Sequence, residues 1–433
     1  MSTSRYPGAA VVIAASILCS YAAHTQTAAA NDYKHLGVAS CASSVCHGKA
    51  KAQPNQNVGL NEYRIWMDQD QHAQAFRALE SPKSKQIALK LGLPNATAAK
   101  ICLDCHTDNI AAAKQGPKYH ITDGVACEAC HGGSEKWIET HAQKDATHAA
   151  NIQRGMYPSE QPLKRAELCL SCHLGTQDKF ATHVIMGAGH PRLRFELEVF
   201  TALQPAHFQV DADYVQRKGK IEGMNLWLTG QLENAERFLT LLQGPLLMPS
   251  GMVPELSFYD CFSCHHPKDK MRWSKERAGA GIKPGTLRLQ KHSLVILQAV
   301  AEALGSANVA ADLKSSTEEL VRAGQTDPAT LRASAKATLE RLRTFEPWTK
   351  RSYTPAEVAS VRKMLLRYAA QDKASDFGTA EQIEMGVESL SYSLGDHERR
   401  KAPLEALFVA VNNDSEFNPA QFAEIAKRSQ EQF

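Results

Sequence analysis

Cys127-Glu128-Ala129-Cys130-His131 is one of four copies of a single pattern, C-x-x-C-H. The others are Cys102-Leu103-Asp104-Cys105-His106, Cys169-Leu170-Ser171-Cys172-His173 and Cys261-Phe262-Ser263-Cys264-His265. A fifth pair, Cys41-Ala42-Ser43-Ser44-Val45-Cys46-His47, places the same ends at C-x4-C-H. On a helical turn, positions i, i+3 and i+4 lie together. Two thiols and one imidazole there can reach the edge and the centre of one flat macrocycle. This is the attachment pattern of c-type haem, in which the thiols add to the vinyl groups and the adjacent imidazole binds iron from one face. The sequence therefore predicts five covalent haems, with His47, His106, His131, His173 and His265 as proximal ligands.

Competing readings of the cysteines explain less. A zinc site draws on Cys/His quartets and leaves the histidine after each second cysteine without a purpose. Disulfide frameworks belong to short exported chains, and this one has 433 residues. Thioredoxin-like C-x-x-C motifs come singly, on βαβ folds. The Cys41/Cys46 pair stays open to a second reading, a disulfide with His47 exposed. An i to i+5 step on an ideal helix is about 140° off-face, so Cys41 needs a looped-out backbone to share a haem with Cys46. Gly37, Ser40, Ser43 and Ser44 suit such a loop.

All ten of these cysteines follow residue 30. The eleventh, Cys19, lies in a segment that reads as an export leader. Arg5 is the only charge before Asp32, Ala9 to Leu18 is apolar, and Thr27-Ala28-Ala29-Ala30 is rich in small residues. These are the parts of a cleaved signal peptide, residues 1–30, and imply a periplasmic location. An uncleaved anchor is the rival. A lipoprotein is rejected, because Leu18 and Ser16 are the wrong residues ahead of Cys19. No stretch supplies the roughly 18–20 apolar residues of a membrane span, so none is expected in the mature chain.

Seventeen histidines are present, of which His24 lies in the leader. After the five proximal ligands, eleven remain for the opposite iron faces, so bis-histidine ligation is expected and methionine is not needed. The distal candidates are His72, His141, His183, His190 and His207. His72 follows Trp66 in an amphipathic stretch, and His141 lies four residues after Trp137. His183 and His190 flank Gly187-Ala188-Gly189, small residues that let a flat ring approach, and His207 follows Pro205-Ala206. His266 abuts His265 and can serve only a neighbouring haem. His35, His120, His148, His292 and His397 are set aside.

Residues 31–290 read as a pentahaem domain in which porphyrins take the place of a side-chain core. Within it, Ile221 to Leu242 reads as an amphipathic helix, with Leu226, Trp227, Phe238 and Leu239 on its apolar side, covering the haem stack. Residues 291–433 read as an all-α C-terminal region. Helices are expected over His292–Leu304, Pro328–Thr344, from Pro355 with Thr354 as cap, over Ala380–Ser391 and Pro403–Val411, and from Pro419 with Asn418 as cap. The fold class is mainly α, with haems as core. Lys plus Arg is 49 against 46 Asp plus Glu, a net charge of +3, which gives no electrostatic case for nucleic acid.

Four stretches resemble the multihaem cytochrome c-554 family, whose haem packing is related to that of hydroxylamine oxidoreductase. They are Trp66 through His72-Ala73, Gly124-Val125-Ala126-Cys127-Glu128-Ala129-Cys130-His131-Gly132, Gly189-His190-Pro191-Arg192-Leu193-Arg194-Phe195-Glu196-Leu197, and Phe258-Tyr259-Asp260-Cys261-Phe262-Ser263-Cys264-His265-His266. The resemblance implies a mainly helical fold, haems in stacked and perpendicular pairs, and periplasmic electron transfer. The C-x4-C-H spacing and a fifth haem depart from that family, and the absence of C-x-x-C-K argues against pentahaem nitrite reductase. The favoured function is electron transfer between redox proteins. The alternative is an oxidoreductase acting on a small nitrogen or sulfur species at one open haem, with Arg192, Arg194 and His183 beside it. No catalytic residue is assigned, and the sequence leaves an oligomer possible and the donor and acceptor unnamed.

Overall fold

The computed structural model describes residues 33–53, 58–261, 264–265, 286–371 and 373–433. The leader with Cys19 and His24, and also Phe262, Ser263 and His266, lie outside the described residues. Among those described there is no β-strand, only the isolated bridges His35 to Gln115 and Tyr259 to Leu289. No described helix is long and apolar enough to cross a membrane.

Eleven described helices precede residue 244. They are α1 (Glu62–Gln69), α2 (Ala75–Leu79), α3 (Pro82–Lys90), α4 (Lys100–His106), α5 (Cys127–His131), α6 (His148–Gln153), α7 (Pro162–His173), α8 (His183–Gly187), α9 (Leu197–Leu203), α10 (Ala212–Lys218) and α11 (Gly223–Gln243). Before α11 they are short and share little apolar core. One small cluster joins Phe76, Leu79, Ala88, Ala96 and Leu103. A second joins Ala166, Leu170, Phe195, Leu197 and Leu226.

Seven longer helices follow: α12 (His292–Ala303), α13 (Ala307–Ala323), α14 (Pro328–Leu342), α15 (Pro355–Ala370), α16 (Phe377–Ser393), α17 (Lys401–Ala410) and α18 (Pro419–Gln430). Their starts are written in cap chemistry. Asp327 accepts from the amides of Ala329 and Thr330 at 2.9 Å, ahead of Pro328. Thr354 and Glu357 form a reciprocal capping box ahead of α15. Asn418 accepts from Ala420 and Gln421, ahead of Pro419. α16 begins earlier than the sequence predicts, because the Asp376 side chain caps it by accepting from Thr379. α13 was not predicted; its Ser306 makes no side-chain cap.

The single apolar stripe expected for α11 needs correction. Thirteen of its 21 residues are buried, because it has apolar neighbours on more than one side. Leu226 packs with α7 and α9 residues, while Trp227, Leu228, Phe238 and Leu239 belong to the large core built with α12 through α18. Close approach is allowed by Gly230, where a Cβ would lie 2.6 Å from that of Leu197.

Candidate functional site: five histidine pairs

Each motif histidine faces one of the five other histidines singled out in the sequence. The ring centroids of His47 and His141 lie 6.2 Å apart, and those of His72 and His173 6.3 Å. His106 and His190 lie 6.2 Å apart, His131 and His207 6.1 Å, and His183 and His265 6.3 Å. Direct ring stacking would bring centroids closer than this. A metal–imidazole bond is about 2 Å and the nitrogen lies about 1.1 Å from the ring centre, so two imidazoles sharing one metal sit about 6.2 Å apart. Among the described residues, no three Cys, His, Asp or Glu side chains converge on a metal ion.

The Nδ1 atoms of five of these rings are held by the protein. His106 Nδ1 lies 3.0 Å from the Ala75 carbonyl, His141 Nδ1 2.6 Å from that of Ile138, and His190 Nδ1 2.7 Å from that of Pro191. A carbonyl only accepts, so Nδ1 carries the proton and Nε2 keeps its lone pair in the neutral ring. His47 Nδ1 meets Glu62 Oε2 at 2.9 Å, and His72 Nδ1 meets Asp70 Oδ1 at 2.9 Å. These carboxylates raise the proton affinity of both rings. Burial pushes the opposite way elsewhere: His131 falls to about 4, with His207 beside it adding to the effect, and His141, His173, His190 and His207 are lowered too.

Backbone geometry fixes where three of the motifs end. α4, α5 and α7 all stop at their histidine. After α5, Gly132 adopts φ 76°, which favours glycine and turns the chain away. The stretch before α5 is equally committed. Gly124, at φ 74°, has its Cα where a Cβ would lie 2.7 Å from the His72 carbonyl. Val125 N–H donates to that carbonyl at 3.0 Å, and Trp66 Nε1 donates to the Val125 carbonyl at 3.1 Å. Buried Glu128 then accepts from the amides of Leu36 at 2.8 Å, Gly37 at 2.7 Å and Ser134 at 2.8 Å. The Cys41–His47 segment is a looped turn, closed by His47 N–H on the Cys41 carbonyl at 3.0 Å.

All ten described cysteines are unbonded to one another covalently. Two thiol contacts link different motifs: Cys41 with Cys127, and Cys105 with Cys172. The His173 ring also stacks on Phe195 at 4.6 Å. The Phe195 carbonyl accepts from Gln382 Nε2 at 3.0 Å, and the Gln382 Oε1 accepts from Gln231 Nε2 at 2.8 Å. A hydrogen-bonded relay therefore joins α11 and α16 to the residue beneath a motif ring.

The histidines set aside have other neighbours. His35 meets Asp108 at 2.6 Å, His148 meets Glu160 at 2.9 Å, and His292 lies 3.3 Å from Asn234 Oδ1. His397 stacks on Tyr392 at 3.8 Å, and His120 stands near Asp123. Arg192 and Arg194, candidates for an anion-binding role, are committed to α16. Arg192 holds both oxygens of Glu381, at 2.7 and 3.0 Å, and Arg194 approaches Glu381 at 3.3 Å and Glu384 at 3.7 Å. Sequence reasoning missed the supporting carboxylates Glu62, Asp70 and Glu128. Only Asp70 carried a local sign, standing two residues before His72 where a side chain can cap a turn.

Residues 40–132 match the family model described as cytochrome c554 and c-prime. Comparison with curated proteins finds no match, and neither does comparison with solved structures.

Proposed function

We propose that this chain, a c-type cytochrome whose residues 40–132 fall in the cytochrome c554 and c-prime family, is a pentahaem electron carrier of the periplasm. One observation carries the reading. Five histidine pairs share one separation, 6.1–6.3 Å, and each pairs a motif histidine with a second imidazole. Cys41, Cys46, Cys102, Cys105, Cys127, Cys130, Cys169, Cys172, Cys261 and Cys264 would carry the thioether bonds. His47 with His141, His72 with His173, His106 with His190, His131 with His207 and His183 with His265 would hold the five irons. Haem bound there supplies one-electron Fe(III)/Fe(II) chemistry, and bis-histidine ligation favours lower potentials than His/Met.

The protein's own contribution is to hold and tune. Carbonyls and carboxylates on Nδ1 fix ring orientation and keep Nε2 available. Asp70 and Glu62 raise the donor strength of His72 and His47, which favours the ferric state of the sites they serve. The Cys41–Cys127 and Cys105–Cys172 contacts support closely paired haems of the kind the family resemblance implies. A catalytic haem needs an open face. Every described motif histidine has a partner, and Arg192 and Arg194 are engaged elsewhere, so carriage is favoured over turnover. Residues 1–30, by their composition, support export with cleavage near Ala30.

The test is an intact mass of the purified holoprotein, with a low-temperature EPR spectrum of its oxidised form. Five haem masses, loss of the leader and only low-spin ferric signals are expected. Four haems would remove the Cys41/Cys46 attachment. A large high-spin signal that nitrite or hydroxylamine perturbs would overturn the carrier reading.

A further inference from the structure

Around the five pairs, most surface stretches mix charges. Near His207, residues 208–222 hold Asp211, Asp213 and Glu222 against Arg217, Lys218 and Lys220. Near His141, Lys136 and Lys144 alternate with Glu139 and Asp145. The stretch between Glu80 and Asp104 differs: it holds Lys83, Lys85, Lys90 and Lys100 and no carboxylate side chain.

Three of those lysines lie on α3, which flanks the His106/His190 pair. Ala88 of α3 packs in one cluster with Leu103 of α4 and with Cys102 of the motif. On the other side, Ile87 Cγ1 lies 3.6 Å from where a Cβ on Gly189 would be, next to His190. At about 100° per residue, Lys85, Leu89, Gln86, Lys90 and Lys83 fall in one arc of about 160°, away from buried Ala88. All five are exposed. Lys100 pairs with Asp104, whereas Lys83, Lys85 and Lys90 form no ion pair among the described residues. Leu89, 78% exposed, supplies apolar contact among them.

We propose that the face formed by Lys83, Lys85, Leu89 and Lys90 is the docking surface for an acidic redox protein, which exchanges electrons with the haem held by Cys102, Cys105, His106 and His190. The proposal rests on the pentahaem reading. An unpaired basic arc around a small apolar centre suits a transient partner: opposite charge raises the encounter rate, and short residence needs little buried area. One electron leaves the partner's centre and one ferric haem gains it.

The experiment uses the full holoprotein and, as probe, a reduced acidic [2Fe–2S] ferredoxin mixed by stopped flow over a range of ionic strength. The rate constant is expected to fall steeply with salt. The triple variant Lys83→Glu, Lys85→Glu, Lys90→Glu should lower it about tenfold at low salt and flatten its salt dependence. A control with equal charge change, at exposed Lys314, Lys336 and Lys427 on α13, α14 and α18, should lower it by less than about twofold. Equal effects of the two triple variants overturn the proposal, as does a rate that salt does not slow. Salt-sensitive binding of the parent to phosphatidylglycerol vesicles, lost in the α3 variant while its ferredoxin rate is unchanged, assigns the face to a membrane instead. Intact mass of each preparation separates the two levels: five haems with an unaffected rate sinks the docking face alone, and a missing haem at Cys102/Cys105 sinks the reading beneath it.

Discussion

Glu128 is the carboxylate inside the third motif, and removing it should loosen two cysteine-motif segments at once. Its side chain is 3% exposed, and it accepts three backbone amides. Two of these, Leu36 and Gly37, lead directly into the Cys41 loop; the third, Ser134, follows the third motif. A hydrogen bond to a charged group contributes about 1.5–3 kcal/mol, so three contribute about 4.5–9 kcal/mol. Water can reach the half-buried Leu36 amide after substitution, whereas Gly37 and Ser134 are buried. For Glu128→Ala we therefore expect a loss of about 3–6 kcal/mol. Glu128→Gln can keep one oxygen on Leu36 and Ser134 and loses the Gly37 bond, a cost of about 2–3 kcal/mol. At about 2–4 °C per kcal/mol, the alanine variant should melt at least about 6 °C lower, with glutamine between it and the parent. Circular dichroism at a fixed haem count measures this. An alanine variant within about 2 °C of the parent would refute the reasoning. A glutamine variant as weak as alanine would mean that charge matters rather than the number of amides accepted.

Replacing His190 with Gly leaves His106 without its facing ring, so about one-fifth of the haem should turn high spin by EPR and return with added imidazole; an unchanged spectrum would break that pairing. Asp396 is held at about 2, first by its hydrogen bond from Arg362 and then by that cation's charge, with burial opposing. A depressed carboxylate stabilises above its unfolded value and loses that contribution as pH falls through the folded one. The gap in urea midpoint between the parent and Arg362→Met should therefore narrow from pH 5 toward pH 2.5, and a constant gap would contradict the ion pair's role. Trp227 is fully buried and its ring lies 3.1 Å from where a Cβ on Gly386 would be. Trp227→Ala should cost about 3–5 kcal/mol in urea unfolding, and a loss under about 1 kcal/mol would show that the two helices do not depend on that contact.

Local chemistry was legible and long-range pairing was not. Caps at Asp327, Thr354 and Asn418 could be read because a cap acts within four residues. The five histidines that face the motif histidines stand in recognisable surroundings, such as Trp137 before His141 or Gly189 before His190. Nothing local says that His72 faces His173, a hundred residues away, rather than His106. The same limit hid Glu128, two of whose three amide partners, Leu36 and Gly37, lie 92 and 91 residues upstream. It also hid the burial of α11, since a helix with two apolar neighbours looks like one with a broad apolar stripe. α13 escaped because its start carries no side-chain cap.

The Gln231–Gln382–Phe195 relay ties the posture of one imidazole to a bundle made far along the chain. Phe195 supports the His173 ring from below, and its carbonyl is fixed by an amide of α16, itself fixed by α11. The C-terminal helices thus behave as a mount for that ring. A shift of α16 against α11 would tilt the phenyl plane, and the imidazole above would have to follow or lose its contact. Tolerance in the bundle is therefore set by alignment as well as by stability: substitutions there that preserve melting temperature can still detune one site out of five.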